Sequence, residues 1–193
     1  MTFCLETERL LIRQFQDSDL EPFLAYRNDP DVARYQGWSI PYPRRRGIEF
    51  LDFMITAFPA VQAEWFQAAL ELKSTGEMIG DVGFIVKKDD GRQAYVGYSL
   101  ARAHWRSGYA YEAVARLLVY LFDELNLRRV VAECDVENTA SWKLLEKLGF
   151  RREAHLIENI LFKGAYGSEF HYAILEREWR ERHLLPRDET EAA

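Results

Sequence analysis

Residues Ala94 to Leu127 read "AYVGYSLARAHWRSGYAYEAVARLLVYLFDELNL", a strand pattern that passes through a glycine straight into a long helix pattern. Ala113, Val114, Leu117, Leu118, Leu121 and Leu125 recur at helical spacing and form a core-facing stripe over about five turns. The first N–H groups of a helix lack internal partners, and the helix dipole adds partial positive charge there. Gly108 removes the side chain that would keep an anion off those amides, with Arg102 and Arg106 close in sequence. Glycine before a helix is also an ordinary turn device, so this junction alone leaves phosphate binding and plain chain reversal both open. It is neither a GxxxxGK[ST] phosphate loop nor a GxGxxG dinucleotide fingerprint.

The rest of the chain supplies a sheet for this helix. "RLLIRQF" reads as a first strand, and Ser18 with Glu21 as a capping box opening a helix. "RRRGIEFLDFMITAF" has helical apolar spacing. "EWFQAALELK" and "MIGDVGFIVK" form a hairpin across Ser74-Thr75-Gly76-Glu77, and "AYVGYSL" continues the meander. Beyond the long helix come the strand "RRVVAECDV" and a helix in "NTASWKLLEKLGF", capped by Asn138 and stopped by Gly149. A closing strand pair, "FRREAHLIENIL" and "SEFHYAILE", ends near Trp179. The fold class is α/β, one mixed and largely antiparallel sheet with helices on its faces.

At 193 residues and 48% hydrophobic content the chain suits one domain, taken as 1–183, followed by a polar tail over 184–193. Twenty-five basic against 31 acidic residues, net charge -6, give no positive field for nucleic acid or anionic membrane. Arg44-Arg45-Arg46 reads as a solvated helix start or a local contact with an anion. Cys4 and Cys134 are far apart with no Cys/His cluster, which implies packing thiols and neither a disulfide nor a metal site. No run approaches the roughly 20 apolar residues of a membrane helix, and the N-terminus lacks a signal pattern, so a cytoplasmic protein is expected.

The stretch Trp105-Arg106-Ser107-Gly108-Tyr109-Ala110 resembles the [RQ]xxGx[GA] loop of the GCN5-related N-acetyltransferase superfamily, with Trp105 in place of the first Arg or Gln. "ETERLLIRQFQDSDLEPF", "VGYSL", "ENTASWKLLEKLGF" and "FKGAYGSEFHYAILEREW" resemble, in order, the opening strand and helix, central strand, coenzyme-side helix and closing hairpin of its ribosomal-protein N-terminal acetyltransferase-like (RimJ/RimL-type) branch. The resemblance spans nearly the whole chain and implies helices on both faces of the sheet and a splayed central strand pair. It further implies acetyl-CoA as co-substrate, no metal, and direct attack by an amine without a covalent enzyme intermediate. Residues 105–110 would then hold the pyrophosphate, Tyr98, Ser99 and Leu100 would offer main-chain groups to the pantetheine arm, and Asn138 would contact the coenzyme.

Ser141 shares a helix face with Asn138. It is either a small first-turn residue or, by resemblance, the proton donor to the leaving thiolate, since Leu145 stands where many relatives carry a tyrosine. Glu133 is the candidate base, or else a solvated carboxylate; Tyr95 occupies the place of the glutamate often found at the start of the central strand. Tyr35 and Trp38 fall in the region that borders the acceptor in such folds, or pack there. His104 either binds phosphate or packs beside Trp105. Three function classes follow: acetyl transfer to a protein N-terminus, the same chemistry on a small amine such as a polyamine, amino sugar or antibiotic, and a non-catalytic acyl-CoA-binding module. Assembly is expected as monomer or homodimer.

Overall fold

The computed structural model describes residues 3–59 and 61–184. Its centre is an eight-stranded sheet built from β1 (Cys4–Glu6), β2 (Leu10–Arg13), β3 (Trp65–Leu72), β4 (Met78–Val86), β5 (Gln93–Leu100), β6 (Arg129–Asp135), β7 (Arg151–Phe162) and β8 (Ala165–Leu175). The order is β1-β2-β3-β4-β5-β6-β8-β7, antiparallel throughout except for the central β5–β6 pair. A parallel neighbour needs a crossover, and the long helix α4 (Tyr109–Val119) supplies it.

Side-chain alternation gives the sheet two cores. Phe66, Ala68, Leu70 and Leu72 of β3 join Ala113, Val114, Leu117 and Leu118 of α4 and Leu145 and Leu148 of α5 (Thr139–Leu148). On the opposite face Ala69 and Met78 meet Phe23 and Tyr26 of α1 (Leu20–Arg27) and Leu51 and Met54 of α3 (Arg44–Thr56). The short α2 (Pro30–Ala33) links them, with Asp29 accepting from the Asp31 amide as its cap. The α4 stripe continues through a wider turn over Tyr120–Glu124, which carries Leu121 and Phe122 into the core while Leu125 is half-buried.

Several local readings need correction. The turn before α1 is organised by Asp19, whose carboxylate accepts from the Gln16 amide at 2.9 Å, and not by Ser18 and Glu21; Glu21 instead pairs with Arg44. The edge strand β1 and the helix α6 (Glu176–Leu184) were not apparent in the sequence, and α6 replaces the end of the expected strand "SEFHYAILE" after Leu175. Cys4 is exposed and only Cys134 is buried. The tail expected over 184–193 lies, from residue 185, outside the described residues.

Candidate active site

The parallel ladder between β5 and β6 stops after three pairs, at Tyr95 opposite Val131. β5 continues beside β4 to Leu100, and β6 continues beside β8 to Asp135, so the two strands part and leave a wedge. The splayed central pair is therefore present. Main-chain groups of a strand edge require partners. Along this edge the Tyr98 carbonyl accepts a 3.4 Å bond from Gln36, while the Leu100 carbonyl takes the Trp105 indole N–H at 2.8 Å.

The loop after β5 enters α4 at Gly108, whose φ of +83° is the left-handed conformation that favours glycine. An added Cβ would also stand 3.3 Å from Arg9 Nη2. Arg9, which no sequence motif marks, braces the loop: its guanidinium pairs with Glu112 at 2.6 Å, donates to the Ser107 carbonyl at 2.9 Å and lies over the Tyr109 ring. Arg106 and Ser107 are exposed beside the open amides of α4. Arg102 is instead committed to Asp29 and Asp31, and His104 lies 3.5 Å from Glu77 with its ring edge-on to Tyr109. These partners take both residues away from the loop's anion-facing side.

At the end of the wedge Asn138 caps α5, accepting the Ser141 amide at 3.3 Å. The Ser141 hydroxyl lies 2.9 Å from the Tyr98 hydroxyl, which reaches across from β5. Burial pushes the Tyr98 phenol above its ordinary pKa, keeping it protonated, while the bond to Ser141 works the other way. Burial likewise pushes the neighbouring Cys134 thiol up to about 11 and leaves it a poor nucleophile at neutral pH. Leu145 is fully buried. The sequence resemblance implies only a main-chain role for Tyr98; its hydroxyl partner lies 43 residues away on α5 and is set by the packing of β5 against that helix.

The opposite face of β5 floors a cavity of about 540 Å³ between α1, α3, β3 and β4. Trp38 lines it, fixed by its indole N–H to the Arg27 carbonyl at 2.9 Å. Tyr35 stands apart from this lining, with its hydroxyl 3.3 Å from the Glu137 carbonyl. Asp81 is buried in the floor, accepting from Gln67 at 2.9 Å and from the Tyr26 hydroxyl, with Arg27 at 3.5 Å. Burial works against the Arg27 charge, but Asp81, Tyr26 and Tyr42 together more than offset it, and the guanidinium pKa is raised. A carboxylate inside the apolar run "MIGDVGFIV" was the available signal for such a buried pair. Glu133 is exposed on this same face of the sheet, 3.7 Å from His171 Nδ1. Among the described residues no three His, Cys, Asp or Glu gather as a metal-ligand set, and no helix is long and apolar enough to cross a membrane.

Comparison with known proteins agrees with this geometry. The acetyltransferase (GNAT) domain family matches residues 9–151. The uncharacterized N-acetyltransferase p20 of Bacillus licheniformis is 33% identical over 175 residues, covering 91% of this chain and 97% of its own. The crystal structure of a GNAT-family acetyltransferase from Bacillus anthracis superposes with a TM-score of 0.81 at 29% identity, covering 91% of this chain and 99% of that one. Spermidine N-acetyltransferase from Vibrio cholerae, in complex with CoA and spermine, shares the fold with a TM-score of 0.77 at 24% identity, over 90% of this chain and 99% of its own.

Proposed function

This chain belongs to the acetyltransferase (GNAT) family and is an N-acetyltransferase, and on that premise we propose that it carries the acetyl group of acetyl-CoA directly to the N-terminal amine of a protein or peptide, as in the ribosomal-protein N-terminal acetyltransferase-like branch. The observation that carries the reading is the parting of β5 from β6 next to a left-handed glycine at the start of α4. The edge from Tyr98 to Leu100, which β6 leaves uncovered, suits a pantetheine arm lying along it like an added strand. The amides at Gly108, Tyr109 and Ala110 suit a pyrophosphate, with Trp105, Arg106 and Ser107 shaping the loop and Asn138 at the far wall.

In the reaction the amine lone pair attacks the thioester carbon, the C–N bond forms, the C–S bond breaks, the amine gives up one proton and the departing thiolate gains one. The Ser141 hydroxyl, held by that of Tyr98, donates a hydrogen bond to that sulfur, and the thiolate takes its proton from solvent. Glu133, on the acceptor face, receives the proton of the amine. Little assistance is required: a peptide α-amine titrates near about 7.7–8.0, whereas a lysine near 10.4 is almost wholly charged at neutral pH. The same reading assigns the protein to the cytoplasm, supported by two cysteines that form no disulfide. The test is release of free coenzyme A thiol over a panel of short peptides and small amines, with the acetyl group located by mass spectrometry. Acetylation at the α-amine is expected; acetylation confined to lysine side chains or to polyamines overturns the N-terminal assignment.

A further inference from the structure

The charges around the acceptor cavity narrow the acceptor further, on the premise that the protein transfers acetyl groups to amines. A site for a polyamine needs several uncompensated carboxylates, or open aromatic faces that a substrate cation can occupy. Here the buried carboxylate of Asp81 is already met by Arg27, Tyr26 and Gln67. Part of the aromatic lining is taken as well: the Arg27 guanidinium lies 3.9 Å from the Trp38 ring, 4.4 Å from Phe23 and 5.3 Å from Phe50, which leaves Trp65 and Phe53 as the open rings. The protein's own cation fills the cage. Among the described residues lining the cavity, Glu64 at the exposed rim is the one carboxylate without a basic partner, enough for one incoming ammonium.

What the cavity leaves uncovered is apolar. Trp65 and Phe53 line it while 42% and 52% exposed, unusual for such large rings. The Trp65 indole edge stands 3.8 Å from where a Cβ on Gly97 would be, so this ring overlies β5 just where it leaves β6. From these observations we infer that the acceptor is a monoamine borne on an apolar, ring-bearing body, and that Trp65 selects it. An amine reaching the thioester past Gly97 lays its body against Trp65 and Phe53, and among the described residues lining the cavity Glu64 alone is left to meet any further positive charge, too few carboxylates for a polyamine.

The experiment compares kcat/KM for two matched pairs and a polyamine: 2-phenylethylamine with ethanolamine, a peptide beginning with Phe with the same peptide beginning with Ser, and spermidine. The ring-bearing member of the pair that is acetylated is expected to be faster by about 10- to 100-fold, what burying one aromatic ring is worth, and spermidine slower than either ring-bearing acceptor. The pair that is turned over identifies the source, free amine or peptide terminus. Trp65→Ala should reduce the preference to about 3-fold or less while the affinity for acetyl-CoA, read by calorimetry, is unchanged. Preference for spermidine, or equal rates within both pairs, overturns the inference and leaves amine acetylation standing. Failure of every amine while acetyl-CoA binds overturns the transfer reading and this inference together.

Discussion

The two faces of β5 are built by different means. On the α4–α5 side the surface proposed for the coenzyme comes from main-chain groups and two nearly continuous segments, 98–112 and 138–148. On the α1–α3 side the cavity is assembled from side chains that lie far apart in sequence, Arg27, Trp38, Phe50, Trp65 and Asp81. A ligand common to a family can be held by backbone donors, which every residue but proline carries and most substitutions therefore keep. A ligand that varies must be recognised by side chains on loops and helices that can change without disturbing the sheet.

The sharpest way to break this division is Asp81→Ala. It leaves the buried Arg27 charge without its counterpart, and a loss of about 3–5 kcal/mol of stability is expected in urea denaturation. If the two faces are energetically separate, the protein that still folds should keep its affinity for acetyl-CoA. On the other face, acetyl-CoA at about 100 times its dissociation constant should add about 2.7 kcal/mol, a rise of roughly 5–10 °C in Tm. Gly108→Glu, which puts an anion where the pyrophosphate is proposed to sit, should erase that rise. An undiminished rise in the folded variant would remove the α4 N-terminus from the site.

Ser141→Ala tests the wedge between the faces. General acid assistance is worth about 10²–10⁴, and a thiolate is a good leaving group, so a fall of roughly 10- to 100-fold in single-turnover rate is expected with coenzyme affinity nearly intact. Tyr98→Phe should act in the same direction, and the double variant should lose less than the product of the two, because the hydroxyls form one unit. Burial raises the Tyr98 pKa, so the phenol stays protonated and no tyrosine ionisation should enter the parent's pH–rate profile below about pH 10. A fully multiplicative double variant would mean that Tyr98 only packs. The smallest effect is expected of Arg106→Ala: coenzyme binding weakened by about tenfold or less, with a flatter salt dependence. Parallel salt curves for variant and parent would show that Arg106 takes no part.

Much of the fold was readable because its signals are local. The α4 stripe, the Asn138 cap, the Gly149 stop and the alternation in β3 and β4 each depend on residues within a turn or a strand of one another. β1 was missed because three residues carry too little periodicity, and α6 because its mostly charged sequence gives a weak apolar stripe. The α1 start was misread because the bond that organises it runs from Asp19 back to the Gln16 amide rather than through the Ser18 pattern. In the proposed site, Gly108, Asn138 and Ser141 stand at helix starts, but position alone marks the last two only as a cap and a first-turn residue, and their proposed roles rest on the family resemblance. Arg9 and Arg27 could not be found by position, since nothing near them in sequence marks what they touch.

The sequence by itself determined the family, the order of strands and helices, and the glycine-led helix start after the central strand, because these rest on short-range sterics and hydrogen bonding. Tertiary structure decided that Tyr98 and Ser141, 43 residues apart, share a hydrogen bond, that Arg102 is spent on α2, and that Arg27 neutralises Asp81 in the floor of the cavity on the α1–α3 side. Such pairings depend on which faces of the sheet the helices cover and on where β5 leaves β6. They are fixed by packing over the whole core, and no window of sequence contains both partners.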